Sequence, residues 1–437
     1  MTKTPSIRIS RAIPKTVRRK VLRSAVIAAS AVAMVAASGA WPEAARAQED
    51  PIRIGFSMAL TGGLAGAGKP ALIAMEIWRD DINAQGGLLG RPVEFVYYDD
   101  QTQPANVPKI YTKLLTVDNV DLVVSGYGTN LTAPAMPIIM RHGMAFMSLF
   151  ALAANEQFDY DRYFQIMPAG PEPKEDWSRP FIKLATDQGL ETIALVGADA
   201  EFAQNAVEGA RTNAEAAGLE IVYDESYPPN TVDFTPIIRA IQATNPDVVF
   251  VGSYPPDSAG MVRAANELNL QTKLFGGGMV GLQYASLLTS LGPMLNGIVN
   301  YDFWVPEPTL DFPGIQEFLA KYEERAEGQG VDPLGHYLPP WAYAYMQVLG
   351  DAVEAVGSLD QAAIAEYIGN NTFETVVGPV EFGPNGEWAT SRVLMVQLQN
   401  IEDGDLEQFR EPGKRVVILP EEWASGELIF PYTEAMK

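Results

Sequence analysis

The sequence predicts an α/β fold of two lobes, each built on a parallel β-sheet with helices on both faces. Two observations predict it: short runs rich in Val and Ile that end in Gly-containing loops, and amphipathic helical segments between these runs. Strands buried on both faces are nearly continuous apolar runs, and their alternation with helices is typical of parallel sheets. The length of 437 residues is sufficient for two such lobes.

The predicted elements follow one another regularly along the chain. A first strand over Ile52–Met58 leads through a Gly-rich turn into a helix that carries Leu72, Met75 and Trp78 among charged residues. Further strands are predicted over Val93–Tyr98, Asp121–Val124, Thr192–Val196 and Asp247–Val251. Later helical segments are predicted over Pro313–Arg325, Leu338–Val356 and Asp360–Ile368, before a β-rich tail over Val376–Leu398.

Two α/β units are visible in this order, over residues 52–168 and 177–300. The proline-rich segment Met167–Pro173 between them disfavours helix and suggests a crossover from one lobe to the other. The late β-rich tail suggests a return of the chain to both lobes. Two lobes joined by several segments would form a hinge with a cleft.

The first forty-seven residues have the order of an export signal: a basic stretch, an uncharged Ala-rich run over Ser24–Pro42, and small residues ending at Ala47. We expect cleavage after Ala47 and a periplasmic location. A retained anchor is the alternative, but an Ala-rich run containing Gly39 is poorly suited to span a bilayer. The pair Arg18-Arg19 resembles a twin-arginine signal, although ordinary signals also contain Arg pairs, so the export route stays open.

Composition limits the possible partners. The formal net charge is −23, and removal of the basic signal makes the remainder more acidic. Nucleic acid and anionic lipid bind concentrated positive surfaces, so neither is an expected partner. The sequence has no Cys, which excludes disulfides, thiolate metal sites and a lipidated N-terminal cysteine. We therefore expect no stable membrane anchoring.

Motifs for catalysis or cofactor binding are weak. Gly63–Lys69 has the spacing of a phosphate loop, but Pro70 stands where Ser or Thr would reach Mg²⁺. His142 and His336 are distant in sequence, and we expect both on the surface, where they make poor metal ligands or triad members. No Gly-x-Ser-x-Gly segment marks a hydrolase nucleophile. We predict no catalytic residue, cofactor or metal.

Six segments distributed over the mature chain carry a more specific pattern: Ile54–Gly62, Asp80–Gly87, Tyr98–Asp100, Asp233–Ile238, Asn245–Val249 and Val377–Phe382. In content, order and spacing they resemble type I periplasmic solute-binding proteins, in particular the branched-chain amino acid and amide group that serves ABC importers. The resemblance implies two lobes that close on a ligand, joined by three crossovers, here near Pro168, Tyr301 and Gly378. The implied division is a signal over 1–47, the first lobe over 48–168 and 301–377, and the second lobe over 169–300 and 378–437.

The resemblance also implies ligand-binding positions in the first lobe. A hydroxyl and backbone donors for a carboxylate follow the strand that ends near Ser125, which places Thr129 and Asn130 at the site. The alternative is that one of them only caps the following helix. The next position corresponds to the loop beginning at Ser148, where the family's threonine is missing. Phe150 or Leu152 occupies that region and gives a more apolar wall.

In the second lobe the resemblance implies aromatic side chains at Phe202 and Tyr254. Amino-acid binders place an acidic residue in a loop that here corresponds to Gly276–Gly281 and contains Met279 but no acid. A desolvated ammonium without a counter-ion is disfavoured. An ordinary α-amino acid is therefore not expected unless Asp257 or Glu201 substitutes, and an aromatic or aliphatic carboxylate suits the site better. Core packing is the alternative role for Phe202 and Met279.

The implied function is that of a monomeric solute receptor that delivers a small organic ligand to the permease subunits of an ABC importer with a cytoplasmic ATPase. A ligand-sensing subunit of a signalling receptor would have the same fold. An exported α/β hydrolase is the alternative from another class.

Overall fold

A computed structural model describes residues 50–436, so the predicted signal and its cleavage site lie outside the described residues. The strands are β1 (Ile52–Met58), β2 (Val93–Asp99), β3 (Leu122–Tyr127), β4 (Phe146–Leu149), β5 (Tyr163–Gln165), β6 (Thr192–Ala198), β7 (Glu220–Tyr227), β8 (Val248–Ser253), β9 (Leu274–Met279), β10 (Val299–Asp302), β11 (Phe373–Thr375), β12 (Gly378–Val380), β13 (Leu394–Leu398) and β14 (Arg415–Leu419).

The α-helices are α1 (Ala65–Ala84), α2 (Val107–Thr116), α3 (Thr129–Thr132), α4 (Met136–His142), α5 (Pro173–Asp187), α6 (Glu201–Ala217), α7 (Thr235–Ala243), α8 (Pro255–Glu267), α9 (Ala285–Leu291), α10 (Ile315–Ala326), α11 (Pro339–Val356), α12 (Gln361–Asn370) and α13 (Tyr432–Ala435). Within residues 50–436, none of the helices combines the length and apolar composition that crossing a membrane requires.

The first lobe is built on a five-stranded parallel sheet in the order β2-β1-β3-β4-β5. Strands β1, β3 and β4 are almost entirely buried because helices cover both faces, whereas the edge strand β2 is largely half-buried. Helices α10 and α11, which come much later in the chain, pack against α1, and α11 also contacts β4. The first lobe therefore contains two separate stretches of sequence.

The second lobe is built on a seven-stranded sheet in the order β14-β13-β10-β9-β8-β6-β7. Neighbouring strands from β6 to β10 are parallel, whereas β13 and β14 are antiparallel additions at one edge. Helices α5 and α6 pack together beside this sheet. The predicted α/β class, with two helix-flanked parallel sheets, is confirmed.

The third passage between the lobes lies later than the sequence prediction placed it. Gly378 pairs with Thr375 in the short β11–β12 hairpin and does not start a passage to the second sheet. The indole of Trp388 still donates to the carbonyl of Ile166, just after β5, over 2.9 Å. The chain joins the second sheet only at β13. The prediction differs because the β-rich tail begins with strands that pair locally.

Arg392 is buried at this third passage. Its guanidinium carbon lies 5.1 Å from the ring centre of Phe312, 5.3 Å from that of Trp341 and 4.9 Å from that of Trp388. One terminal nitrogen donates to the carbonyl of Val377 over 2.6 Å. Burial lowers the pKa of Arg392 to about 9. The backbone N–H of Arg392 donates to the carbonyl of Pro168 over 2.9 Å. Aromatic faces and a backbone carbonyl thus stabilise a cation where the third passage contacts the first.

Candidate functional site

A cavity lies between the two lobes, at the carboxyl ends of their parallel strands. Its wall comes from residues at or just after β1, β3, β4 and β5 of the first lobe and β6, β8, β9 and β10 of the second. This is where open α/β sheets bind ligands. The free volume is about 30 Å³. One water needs roughly 10–15 Å³ by the same measure, so the cavity has room for only two or three waters. The lobes are therefore closed together, and an organic solute can enter only if the walls move apart.

The Gly63–Lys69 segment does not have the conformation of a phosphate-binding loop. Helix α1 already begins at Ala65, so most of the segment is helical. Leu64 lines the cavity with its apolar side chain. Leu64 is the part of this segment that belongs to the cleft wall, among the residues that the structure describes.

Thr129 and Asn130 both lie on the first-lobe wall, at the start of α3. The preceding Gly128 has φ +102°, a conformation in which a side chain would be strained. This turn directs the chain from β3 into the short helix. The Thr129 side chain is buried, and its hydroxyl has no hydrogen-bond partner among residues 50–436.

Asn130 connects the two lobes directly. Its side-chain oxygen Oδ1 accepts a hydrogen bond from the Tyr254 hydroxyl over 2.7 Å. The same oxygen accepts one from the backbone N–H of Phe202 over 3.3 Å. Both donors belong to the second lobe. In this closed conformation the Asn130 carbonyl therefore holds the lobes together and is not available to a ligand.

Phe150 forms part of the first-lobe wall from a strained backbone position after β4. Its φ is +56°, which is rare for a bulky residue. Its N–H donates to Oε1 of Gln165 over 3.1 Å. Its ring packs edge-on against Phe303 and Tyr337, with centroid separations of 4.9 and 5.6 Å. The strained turn thus places an aromatic face on the cavity.

Ser148 does not reach the cavity wall. It is fully buried within β4, and its hydroxyl lies 3.4 Å from Nε2 of Gln165. Gln165 also supports Phe150, so Ser148 belongs to the layer behind the wall. The strand continues beyond Ser148 to Leu149, and the wall begins one residue later at Phe150.

Met279 also lies outside the cavity. The segment that resembled a ligand loop is strand β9 as far as Met279. The backbone N–H and carbonyl of Met279 are both bonded to the Asn300 side chain, over 2.9 and 2.8 Å. The next residue, Val280, lines the cavity instead. The strand extends this far because its glycines pair with β8, and the side chain of Met279 is buried in the core.

Phe202 and Tyr254, which the resemblance proposed as ligand-binding residues, line the second-lobe side of the cavity. Their rings meet edge to face with centroids 5.8 Å apart. Burial raises the pKa of the Tyr254 hydroxyl, so it remains a neutral hydrogen-bond donor. The structure therefore brings together five of the seven residues proposed from the sequence and leaves Ser148 and Met279 behind the wall.

Several wall residues were not found from the sequence. Trp177 enters from α5, and its ring centre lies 4.2 Å from that of Tyr301 and 5.4 Å from that of Phe202. The hydroxyls of Tyr301 and Tyr337 are hydrogen-bonded to each other over 2.9 Å. Burial raises the pKa of both phenols far above their usual range. These aromatic residues lie in segments whose patterns resemble ordinary core, and only the topology brings them to the cavity.

A second tyrosine pair also links the lobes. The hydroxyl of Tyr127, at the end of β3, lies 3.4 Å from that of Tyr284, which precedes α9. Elsewhere, the side-chain amide of Asn205 donates to the carbonyl of Leu152 over 2.9 Å. Closure is thus stabilised by neutral hydrogen bonds at several points.

The cavity wall carries no charged side chain within the described part of the chain. Asp257 is buried nearby and accepts a hydrogen bond from the Tyr227 hydroxyl over 3.2 Å. Burial raises the pKa of both Asp257 and Glu201, and neither carboxylate lines the cavity. In this conformation neither acid replaces the missing counter-ion for an ammonium.

One of the two histidines differs from the sequence prediction. His142 is exposed as expected, but His336 is buried. Its Nδ1 atom lies 2.9 Å from a guanidinium nitrogen of Arg415, which also contacts the Asp302 carboxylate at 3.3 Å. Burial and the neighbouring Arg415 lower the pKa of His336 well below its usual value. The neutral ring therefore accepts a hydrogen bond from Arg415 and has a structural role.

A family comparison agrees with this two-lobed architecture. The model of the periplasmic binding protein family matches residues 51–405. The chain belongs to this family. This periplasmic binding protein shares its fold with solute-binding proteins of known structure.

Relatives of this periplasmic binding protein cover almost its whole length. A Leu/Ile/Val-binding protein homolog 7 from Brucella melitensis is 24% identical over 424 residues, covering 93% of this chain and 99% of the relative. A solute binding protein from R. palustris, solved in complex with benzoate, superposes with a TM-score of 0.70 at 18% identity, over 84% of this chain and 95% of that chain. A branched-chain amino acid transporter substrate binding protein from Streptococcus pneumoniae, solved with isoleucine, gives 0.69 at 19% identity, over 84% and 100%.

Proposed function

We propose that this protein is the solute-binding component of an ABC importer and that it closes its lobes around a small organic carboxylate without an ammonium group. It acts by binding and delivering the solute to membrane permease subunits, and not as an enzyme. The proposal rests on the cavity between the lobes, whose wall is rich in aromatic side chains and carries no charged side chain within residues 50–436.

The wall favours a carboxylate for two reasons. Its free polar groups include the Thr129 hydroxyl, which can donate a hydrogen bond to an anionic oxygen. Its rings, among them Phe150, Phe202 and Tyr254, offer apolar faces for an aromatic or aliphatic body. The relatives include proteins solved with benzoate and with isoleucine, and the uncharged wall favours a solute of the first kind.

The proposal includes export and maturation. The order of residues 1–47 supports a signal cleaved after Ala47, followed by release of a monomer into the periplasm. Expression with the native leader, followed by mass measurement of the periplasmic protein, tests the cleavage site. A mass that retains residues 1–47 would contradict it.

A thermal-shift panel tests the ligand class. Protein purified from the periplasm is heated with aromatic acids, aliphatic acids, amides and amino acids, because a solute that binds only the folded state raises the melting temperature. We expect the largest shifts with carboxylates that lack an ammonium. Larger shifts with leucine, isoleucine or valine would contradict the proposed class.

A further inference from the structure

The cavity wall carries several polar groups. Most of them already have partners in the closed conformation: Tyr254 donates to Asn130, and Tyr301 pairs with Tyr337. Two buried polar atoms of wall residues have no partner among the residues that the structure describes, namely Oγ1 of Thr129 and Nε1 of Trp177. One belongs to each lobe.

An unpaired indole N–H at this place needs an explanation. The Trp177 side chain is 1% exposed, and a buried donor without a partner is unfavourable. Trp304 and Trp388 avoid this, since each donates to a backbone carbonyl over 2.9 Å. The buried indole nitrogen of Trp341 also has no partner within residues 50–436, but Trp341 lies outside the cavity wall. Ring packing against Tyr301 and Phe202 would be available to a phenylalanine as well, so packing alone does not account for the indole nitrogen.

The chemistry of the two unpaired groups restricts what can satisfy them. An indole N–H is only a donor, so its partner must be an acceptor. A carboxylate has two acceptor oxygens, and a hydroxyl in one lobe and an N–H in the other can each bind one of them. A carboxylate held in this way would also connect the lobes, which couples its binding to closure.

We propose that the Trp177 indole N–H is a ligand-binding donor and that one carboxylate accepts from it and from the Thr129 hydroxyl, so that the anion bridges the lobes. This inference rests on the proposed function and adds to it a second-lobe residue for anion recognition. It predicts that the solute's carboxylate, and not only its apolar body, contacts the second lobe.

The test uses benzoate, whose only acceptors are its carboxylate oxygens. Trp177→Phe removes the N–H and keeps an aromatic ring. Trp423→Phe is the matched control. Nε1 of Trp423 is also buried without a partner among residues 50–436, but Trp423 lies outside the cavity wall. We expect calorimetry to show an affinity loss of about ten-fold or more for Trp177→Phe and wild-type affinity for Trp423→Phe.

A second readout separates hydrogen bonding from packing. In protein with ¹⁵N-labelled tryptophan, the indole proton signal that disappears in Trp177→Phe is assigned to Trp177. Benzoate should move this proton downfield and leave that of Trp423 in place. Unchanged affinity in Trp177→Phe, or an affinity loss without movement of the Trp177 signal, would overturn the inference.

The two proposals can fail separately. If benzoate binds but Trp177 does not respond, the proposed function stands and the bridging carboxylate is wrong. If wild-type protein binds leucine and not benzoate, the proposed ligand class is wrong. The same two measurements with leucine, whose only acceptors are also carboxylate oxygens, then decide the role of Trp177.

Discussion

Asn130 and Tyr254 should act as a unit that stabilises the closed conformation. Asn130 Oδ1 accepts from the Tyr254 hydroxyl at 2.7 Å and from the Phe202 N–H at 3.3 Å. A typical hydrogen bond contributes roughly 0.5–1.5 kcal/mol. Asn130→Ala removes the acceptor of both, so closure should lose about 2 kcal/mol, which is roughly a thirty-fold loss of ligand affinity.

Tyr254→Phe removes only one of these bonds and should cost about 1 kcal/mol, or roughly five-fold in affinity. The double variant is more informative. Once Asn130 is gone, the Tyr254 hydroxyl is left buried without a partner, so its removal should cost nothing further or should restore some affinity. We therefore expect strong non-additivity in a double-mutant cycle.

The assay is calorimetry with the best ligand of the panel, with small-angle scattering to follow the compaction that closure produces. Asn205→Ala is the control, because Asn205 bonds to the Leu152 carbonyl at a separate point between the lobes. Its effect should add to that of Asn130→Ala. If the Asn130 and Tyr254 effects add instead, the two side chains do not interact in the bound state and the reasoning is wrong.

Three further predictions concern the cavity and the core. Leucine should bind more weakly than 4-methylpentanoate, the same carbon skeleton without the ammonium, because no acid of the described residues lines the cavity; tighter calorimetric binding of leucine would contradict this. Thr129→Val should weaken carboxylate binding by about 1–2 kcal/mol with little change in the melting temperature without ligand, and a lowered melting temperature with unchanged affinity would assign Thr129 to the core. Glu387 is buried, neither carboxylate oxygen has a partner within residues 50–436, and burial raises its pKa well above the usual value. The folded state therefore binds the proton more tightly, and the contribution of Glu387 to stability is full below its unfolded pKa and falls as pH rises towards the folded pKa. The free energy of unfolding of Glu387→Gln should therefore exceed that of wild type by about 1–3 kcal/mol at pH 8 and by much less at pH 4. An equal difference in unfolding free energy at the two pH values would refute this.

Much of the fold could be predicted because its signals are local. The run Ile52–Met58 coincides with β1, and the run Asp247–Val251 corresponds to β8 with small shifts at both ends. The antiparallel edge formed by β13 and β14 was harder to predict, because an apolar run does not specify the direction of its neighbours. The third passage was placed too early since Gly378 begins a strand of a local hairpin.

The candidate site was predictable where it follows a strand end. The family resemblance implied Thr129 and Tyr254, and they lie close after the ends of β3 and β8, where the predicted strands end. The prediction of Met279 was wrong by one residue, since Val280 lines the wall. Successive side chains of a strand point to opposite faces, so an error of one position at a strand end selects the wrong face. Trp177 and Tyr337 had no local signal: an aromatic residue in a helix, or in a loop before one, has the same pattern whether it faces core or cleft.

The interlacing of the chain between the lobes has a consequence for how the protein is made. In the second lobe Val299 pairs with Gln397. In the first lobe α1 packs against α11, which is synthesised much later. Neither lobe can complete its packing until nearly all of the chain is present, and contacts this distant in sequence form slowly. Until then β10 is an uncovered strand edge, the kind of surface that pairs with other chains. A chain that ends before Leu394, because synthesis stopped or a protease cut it there before folding, should therefore aggregate. It should not leave one folded lobe.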